Sequence, residues 1–211
     1  PGGGVRSPLT ATDLVARLGV SRETGDRLAA YVALLATWQK RINLVGPSTL
    51  ADPWRRHILD SAQLMPHIAA GSSVVDLGSG AGFPGLVLAI LGAFDVHLIE
   101  SDQRKAVFLR EAARVTGAAV TVHARRLETV TDLTADVITA RALAPLDKLL
   151  AWALPFTGDD SFCLFLKGQS SQQELTAARK QWTLSVTLME SWSAPQGVLM
   201  KIWDFRHDSA A

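Results

Sequence analysis

Residues 73–85 read Ser73-Val74-Val75-Asp76-Leu77-Gly78-Ser79-Gly80-Ala81-Gly82-Phe83-Pro84-Gly85. An apolar, β-branched run leads into three glycines at alternate positions, and an apolar run suited to a helix continues to Leu91. Glycine lets the backbone approach a ligand closely, and the start of a helix directs free N–H groups at it. The stretch therefore predicts a strand, a ligand-binding turn and a helix, which together form the first unit of an α/β sheet.

Strand and helix patterns alternate after this turn. Short β-branched runs at 95–100, 119–123, 136–139 and 161–166 predict strands, and helical spacing at 84–91, 102–115 and 146–153 predicts the helices between them. The runs 184–189 and 198–203 are joined by a turn with Pro195, Gln196 and Gly197, which predicts a hairpin. The sequence thus predicts a mostly parallel seven-stranded sheet with an antiparallel hairpin at its C-terminal end.

The N-terminal part has a different pattern. Apolar residues recur at helical spacing before residue 70, for example at Leu28, Tyr31, Val32 and Leu35. We therefore expect a lead-in without stable structure at 1–9, a helical subdomain at 10–70, the ligand-binding domain at 71–206 and a short tail at 207–211.

Composition restricts the function less than the motifs do. The 211 residues carry 21 basic and 20 acidic side chains, so any surface for a nucleic acid must be local. Cys163 is the only cysteine, which excludes an intrachain disulfide and favours a buried apolar role in a reducing compartment. With no signal peptide or membrane-spanning stretch in the sequence, we expect a cytoplasmic monomer without a metal or a membrane partner.

The glycine turn fits two cofactors. Gly80-Ala81-Gly82-Phe83-Pro84-Gly85 satisfies the G-x-G-x-x-G pattern of dinucleotide sites. However, those glycines begin three residues beyond the strand's last residue, Leu77, and Asp76 places a carboxylate near the strand end. Both features are typical of class I, Rossmann-like methyltransferases that bind S-adenosylmethionine. We therefore expect Gly78, Gly80 and Gly82 to approach this cofactor and Asp76 to help hold its amino end.

Glu100 ends the second predicted strand, 22 residues after Gly78. An acidic side chain at this distance usually meets the ribose hydroxyls of a bound nucleotide. The carboxylate can accept both hydroxyl hydrogens, whichever of the two cofactors is bound.

Further motifs appear in order between Asn43 and Gly168. They are Asn43-Leu44-Val45, Arg56-His57-Ile58-Leu59-Asp60-Ser61, the glycine turn with Phe83-Pro84-Gly85, Glu100-Ser101, Arg126-Leu127-Glu128, Thr139-Ala140-Arg141-Ala142 and Leu166-Lys167-Gly168. With this combination the chain resembles the GidB/RsmG family, whose members methylate N7 of a guanine in the decoding-region loop of small-subunit (16S) ribosomal RNA.

The resemblance implies S-adenosylmethionine as the cofactor, contacted by Gly78, Phe83, Glu100, Leu127, Glu128 and Arg141. Relatives often carry Arg-Ala-Glu where this chain has Arg126-Leu127-Glu128. A contact made by the main-chain N–H of Leu127 does not depend on that side chain.

Methylation of guanine N7 needs no general base, because this nitrogen carries a lone pair and no proton. Arg141 is therefore expected to position the carboxylate of the cofactor or an RNA phosphate. His57 and Asp60 lie three residues apart on a predicted helix and share a face. They are either an acid–base couple or, the interpretation favoured here, a pair that packs the helix against the sheet.

Local basic residues are the candidates for RNA contact, although each could equally be solvated surface. They are Arg55, Arg56, Arg104, Lys105, Arg125, Arg126 and Lys167. Two other functions remain as alternatives: a nicotinamide-dependent oxidoreductase, and a non-enzymatic RNA-binding adaptor on a methyltransferase fold. Asp76 argues against the first, and the intact glycine turn with Glu100 argues against the second.

Overall fold

The computed structural model describes residues 7–209. Its N-terminal part is helical, with α1 at Ala11–Leu18 and α2 at Arg22–Gln39. Thr10 and Asp13 form a capping box at the start of α1, and Gly19 ends the helix in the left-handed conformation.

The next helical segment is irregular. A 3₁₀ turn at Pro47–Ala51 leads to a π-helical turn at Trp54–Leu59, which continues into the short α3 at Asp60–Ala62. Asp52 lies between these two turns, and its Oδ1 accepts hydrogen bonds from the N–H of Arg55 at 3.4 Å and from the N–H of Leu9 at 2.9 Å. π-Helical turns are frequent at functional sites.

Seven strands form one sheet in the order β3-β2-β1-β4-β5-β7-β6. The strands are β1 Ser73–Leu77, β2 Asp95–Ile99, β3 Val120–His123, β4 Ala135–Arg141, β5 Thr157–Lys167, β6 Trp182–Glu190 and β7 Val198–His207. Strands β1 to β5 pair in parallel, whereas β7 is antiparallel to both β5 and β6. This arrangement confirms the predicted fold class.

Four more helices connect the strands: α4 Gly85–Leu91, α5 Gln103–Thr116, α6 Leu146–Ala153 and α7 Ser171–Ala178. The sequence pattern does not predict helix α7, because few of its residues are apolar. Its buried residues are only Ser171, Leu175 and Ala178. Strand β7 ends at His207, so the tail predicted at 207–211 begins with the last residue of a strand. Residues 210–211 of that tail lie outside the described part.

The two faces of the sheet bury separate apolar clusters. On one face α4 and α5 pack together with the N-terminal helices, which contribute Leu14, Leu28 and Tyr31 to the same cluster. On the other face α6 and α7 cover β4 and β5. Cys163 lies fully buried in this second cluster, and burial raises the pKa of its thiol, as expected of an inert apolar residue.

The order of the strands also locates the site. From β1 the chain proceeds outward to β2 and β3, and it then returns to place β4 on the other side of β1. Open α/β sheets bind ligands outside the carboxyl ends of the strands at such a reversal. The turn after β1 and the end of β4 meet there.

Candidate cofactor and acceptor site

The glycine turn follows β1 directly. Gly78 has a φ of +60°, and a Cβ at this position would lie 2.5 Å from a methyl carbon of Leu143. Gly82 has a φ of +94°, and a Cβ there would lie 2.6 Å from the hydroxyl oxygen of Tyr31. Glycine is required at both positions because of conformation and space, but only Gly78 borders a cavity. Gly82 lies close to Tyr31 and Leu86, and its contact with the cofactor remains a prediction.

Asp76 lies behind this turn with no exposed surface. Pairing of β1 with β4 sets it beside Thr139, whose hydroxyl donates to its Oδ1 at 2.8 Å, and the N–H of Gly85 donates to Oδ2 at 3.3 Å. Burial raises the pKa of Asp76 to about 6. Asp76 borders neither cavity, and its carboxyl group ties the turn to β4 and α4. Its contact with the amino end of the cofactor remains a prediction.

Glu100 lies immediately after β2, beside the turn. Its Oε2 accepts a hydrogen bond from the N–H of Gly80 at 2.8 Å, and its Oε1 accepts one from the N–H of Asp102 at 2.7 Å. The residue is 8% exposed and borders a cavity. Because each carboxylate oxygen can accept a second hydrogen bond, Glu100 can hold the turn and two ligand hydroxyls together. Gly80 therefore contributes to the site through the hydrogen bond that its N–H donates to Glu100.

Two cavities open at this edge of the sheet. The first, here called the Glu100 cavity, measures about 480 Å³ and is bordered by Glu100, Ser101, Leu127, Glu128 and Leu143. The second, here called the His57 cavity, measures about 550 Å³ and is bordered by Thr49, Arg56, His57, Phe83 and Ser193. Both are bordered by Gly78, Arg141 and Ala142. One extended ligand could therefore occupy the first cavity and reach the second past Gly78.

Arg141, the last residue of β4, connects several elements at this junction. Its Nη1 donates to the backbone carbonyl of Arg56 at 2.9 Å and lies 3.4 Å from Oδ2 of Asp60. Its Nη2 lies 3.1 Å from Nδ1 of His57, and the guanidinium stands 4.9 Å from the ring centre of Phe83. These contacts fix the guanidinium while its Nε–H and one N–H of Nη2 remain without a partner among residues 7–209.

His57 is buried, and its hydrogen-bond partner is Arg141, with Asp60 bound to the same guanidinium. Since a guanidinium only donates, Nδ1 of His57 must accept, and its proton is assigned to Nε2, which lies 2.8 Å from the hydroxyl of Thr49. The imidazole ring stacks on Phe83 at 4.7 Å. Burial, with the charges of Arg141 and Arg56, lowers the pKa of His57 to about 3. His57 is therefore a neutral structural residue at physiological pH.

Asp60 links the helical segment to the loop between β6 and β7. Its Oδ2 meets Arg141, while its Oδ1 accepts hydrogen bonds from the hydroxyl of Ser193 at 2.5 Å and from the amide of Gln63 at 3.0 Å. The role of Asp60 is thus to hold Arg141 and this loop in register. The sequence could not show this contact, because 133 residues separate Asp60 from Ser193.

Ala142 is a site feature that the sequence did not reveal. It follows Arg141 at the junction of the two cavities, and its φ of +46° lies in the left-handed region. A non-glycine residue is strained there, and such strain concentrates at functional sites.

Two of the basic residues predicted to contact RNA, Arg55 and Lys167, form ion pairs within the protein. Arg55 pairs with Asp52 at 2.8 Å and donates to the carbonyl of Ser7. Lys167 pairs with Glu174 at 2.5 Å, and its side chain is only 6% exposed. Both cations stabilise local structure and are not free to meet a phosphate.

Four of the other predicted basic residues border the two cavities, and the fifth, Arg104, is exposed to solvent. Arg56 is exposed at the His57 cavity, and Lys105, Arg125 and Arg126 border the Glu100 cavity. Arg125 contacts Asp132 at 3.2 Å, and Arg104 has a side chain 74% exposed to solvent. A polyanion could therefore reach these five residues without disturbing the fold.

Other kinds of site find little support in residues 7–209. No group of three or more His, Cys, Asp or Glu side chains in that part of the chain could hold a metal ion. Nor does any helix in this range have the length and apolar character needed to cross a bilayer.

The sequence is similar to those of one methyltransferase family. A family model described as "GidB: rRNA small subunit methyltransferase G" matches residues 25–197. The chain is 56% identical over 191 residues to the ribosomal RNA small subunit methyltransferase G of Paramagnetospirillum magneticum, covering 90% of this chain and 93% of that relative. It is 58% identical over 193 residues to the same enzyme of Rhodospirillum centenum, covering 91% and 89%.

Solved structures share the fold at lower identity. A ribosomal protein L11 methylase from Lactobacillus delbrueckii subsp. bulgaricus matches with a TM-score of 0.58 and 19% identity, over 69% of this chain and 76% of that one. A TehB-like SAM-dependent methyltransferase from Corynebacterium glutamicum matches with a TM-score of 0.53 and 17% identity, over 68% and 86%. At these identities the similarity shows the fold alone.

Proposed function

Because the chain belongs to the rRNA small subunit methyltransferase G family, we propose that it transfers a methyl group from S-adenosylmethionine to N7 of a guanine in the decoding-region loop of small-subunit ribosomal RNA. The observation that carries this proposal is the meeting of the two cavities at Gly78, Arg141 and Ala142. One cavity suits a nucleoside, and the other leaves room for an acceptor base.

The residues of the Glu100 cavity fit the nucleoside part of S-adenosylmethionine. The carboxylate of Glu100 is fixed by two backbone N–H groups and can still accept two ribose hydroxyl hydrogens. Leu127 and Glu128 border the same cavity, where the family resemblance assigns them to the adenine. Arg141, which borders both cavities and has two N–H groups without a partner among residues 7–209, is proposed to receive the cofactor's carboxylate.

The His57 cavity fits an acceptor that has no proton to lose. The two groups there that could act as bases are both engaged: His57 accepts from Arg141, and Asp60 accepts from Ser193 and Gln63. A pKa of about 3 also leaves His57 too weak a base near neutral pH.

The chemistry matches this lack of a base. When bound, S-adenosylmethionine supplies a methyl group on a sulfonium, and the N7 lone pair forms the new C–N bond as the C–S bond breaks. The positive charge passes to the guanine, and no proton moves. What the protein supplies is alignment, which can lower a barrier by about 7–11 kcal/mol. The fixed contacts of Phe83, His57 and Arg141 provide that rigidity.

We propose that the RNA backbone approaches the exposed basic residues at the openings. Arg56 stands at the acceptor side and Lys105, Arg125 and Arg126 border the nucleoside side, while Arg104 is an exposed neighbour of Lys105 in the chain. Positive charge at both openings would attract phosphates, with affinity that falls as salt rises. A cytoplasmic, monomeric enzyme is part of the same proposal.

Ligand binding and methyl transfer test the proposal against its two alternatives. In isothermal titration the protein should bind S-adenosylhomocysteine and not NAD, and it should then move labelled methyl from S-adenosylmethionine to ribosomal RNA from a strain lacking the enzyme. NAD binding would favour the oxidoreductase. Binding of S-adenosylhomocysteine without transfer, either to free RNA or to assembled small subunits, would favour the adaptor.

A further inference from the structure

Trp192 is a large aromatic residue left partly in solvent. It lies in the loop between β6 and β7, and it is 39% exposed. The backbone N–H of Trp192 donates to Oε1 of Gln63 at 3.0 Å, and the hydroxyl of the next residue, Ser193, donates to Asp60. These two hydrogen bonds anchor the backbone that carries the partly exposed ring.

A separate pocket of about 260 Å³ lies against this ring. Its other walls are apolar and include Leu18, Met65, Pro66 and Leu91. The guanidinium of Arg17 stands 5.9 Å from the centre of the indole ring and is the only charged group in the lining. The pocket thus combines an aromatic face, an apolar floor and a single cation.

This pocket adjoins the proposed acceptor site. Ser191 and Ser193, on either side of Trp192, both border the His57 cavity. Along the helical segment, Asp60 borders the His57 cavity and Ala62 borders the pocket, with only Ser61 between them in the chain. The same two segments of chain, 60–62 and 191–193, thus line both the His57 cavity and the pocket, which places the pocket next to the proposed path of the RNA.

We propose that the Trp192 pocket receives an unpaired nucleobase of the RNA substrate close to the target guanine, stacked on the indole ring. Aromatic side chains bind single-stranded nucleotides in this way, and an adjacent arginine adds attraction for the base and its phosphate. With Arg17 as the one polar side chain of the lining, the pocket selects an unpaired base over a paired one and tolerates any base. This inference rests on the proposed function, since it concerns the same RNA.

The test uses a hairpin RNA with the decoding-region loop sequence, in which 2-aminopurine replaces each loop base in turn. With the wild-type protein, 2-aminopurine fluorescence should be quenched at one position near the target guanine. Trp192→Ala should abolish that quenching and weaken RNA binding by about 5- to 150-fold, the range expected for one lost stacking contact. Trp192→Phe should restore most of both, and Arg17→Gln should cause a smaller loss.

Controls separate this site from a structural role. S-Adenosylhomocysteine affinity and the unfolding temperature of Trp192→Ala should stay close to wild type, and Leu154→Ala, equally exposed at 39% and outside the pocket, should leave RNA binding unchanged. Unchanged RNA affinity and quenching in Trp192→Ala would overturn the inference, as would an equal loss of cofactor affinity or a defect seen only with assembled subunits, which would indicate a protein partner. Failure of the wild-type protein to methylate ribosomal RNA would refute the proposed function instead.

Discussion

Replacing Glu100 by glutamine removes one charge with little change in shape, and it tests the nucleoside site directly. Both carboxylate oxygens of Glu100 accept backbone N–H groups, from Gly80 and from Asp102. A glutamine has only one oxygen, so its NH₂ group must face one of these donors. Hydrogen bonds to a charged group contribute about 1.5–3 kcal/mol, and the residue is too buried for water to replace the lost acceptor.

The expected loss of stability is therefore about 1.5–3 kcal/mol, which for a chain of this size lowers Tm by roughly 3–12 °C. The variant also loses charged acceptors for the ribose hydroxyls, so affinity for S-adenosylhomocysteine should fall about tenfold or more. Thermal unfolding and isothermal titration measure the two effects separately.

Asp102→Asn is the matched control for this variant. Both of the hydrogen bonds that Asp102 accepts, from the N–H groups of Arg104 and Lys105, go to the single oxygen Oδ1, and asparagine caps a helix as well as aspartate does. This variant should keep both its Tm and its cofactor affinity. If Glu100→Gln bound S-adenosylhomocysteine within about twofold of wild type, or if Asp102→Asn lost the affinity instead, the ribose contact would lie elsewhere.

Three further variants test other parts of the site. His57→Asn should lose less than the roughly 100-fold typical of a missing general base, with no rising limb in the rate near neutral pH, and a complete loss in a folded variant would restore the acid–base interpretation. Replacing Arg125 and Arg126 by alanine should reduce the salt dependence of RNA binding, with a slope change of about one per lost phosphate contact, and an unchanged slope would assign both to solvated surface. Asp76 has a pKa raised from 3.8 to about 6, so its stabilising contribution is complete below about pH 4 and is lost as pH rises through 6. The difference in unfolding free energy between wild type and Asp76→Asn should therefore change across that window and level off above it, and a constant difference would contradict the assignment.

The fold could be predicted because its determinants are local. The alternation of β-branched runs with helical spacing fixed seven strands, and the glycines after Leu77 marked the ligand-binding turn. Glu100 could be placed at the site for a related reason. Strands β1 and β2 pair in parallel, so their carboxyl ends, with the glycine turn and Glu100, lie at the same edge of the sheet. The weakly apolar α7 lacked such a signal.

The individual contacts could not be predicted, because they depend on residues far apart in the chain. Sequence shows that Lys167 and Arg55 are charged, but not that Glu174 and Asp52 neutralise them. The partner of His57 is Arg141, 84 residues away. Spacing on one helix indicated only that His57 and Asp60 share a face, because a helical pattern reveals i,i+3 and i,i+4 neighbours and no contacts between distant elements.

Chemical mapping of the methylated nucleotide tests the central claim most directly. Ribosomal RNA from a strain lacking the enzyme is incubated with the purified protein and labelled S-adenosylmethionine, then treated with the reduction and aniline steps that cleave at N7-methylated guanine. The account predicts one methyl group per small-subunit RNA and a single cleavage at a guanine in the decoding-region loop. Label on a ribose oxygen, on another base or on protein, with no cleavage at that loop, would contradict it.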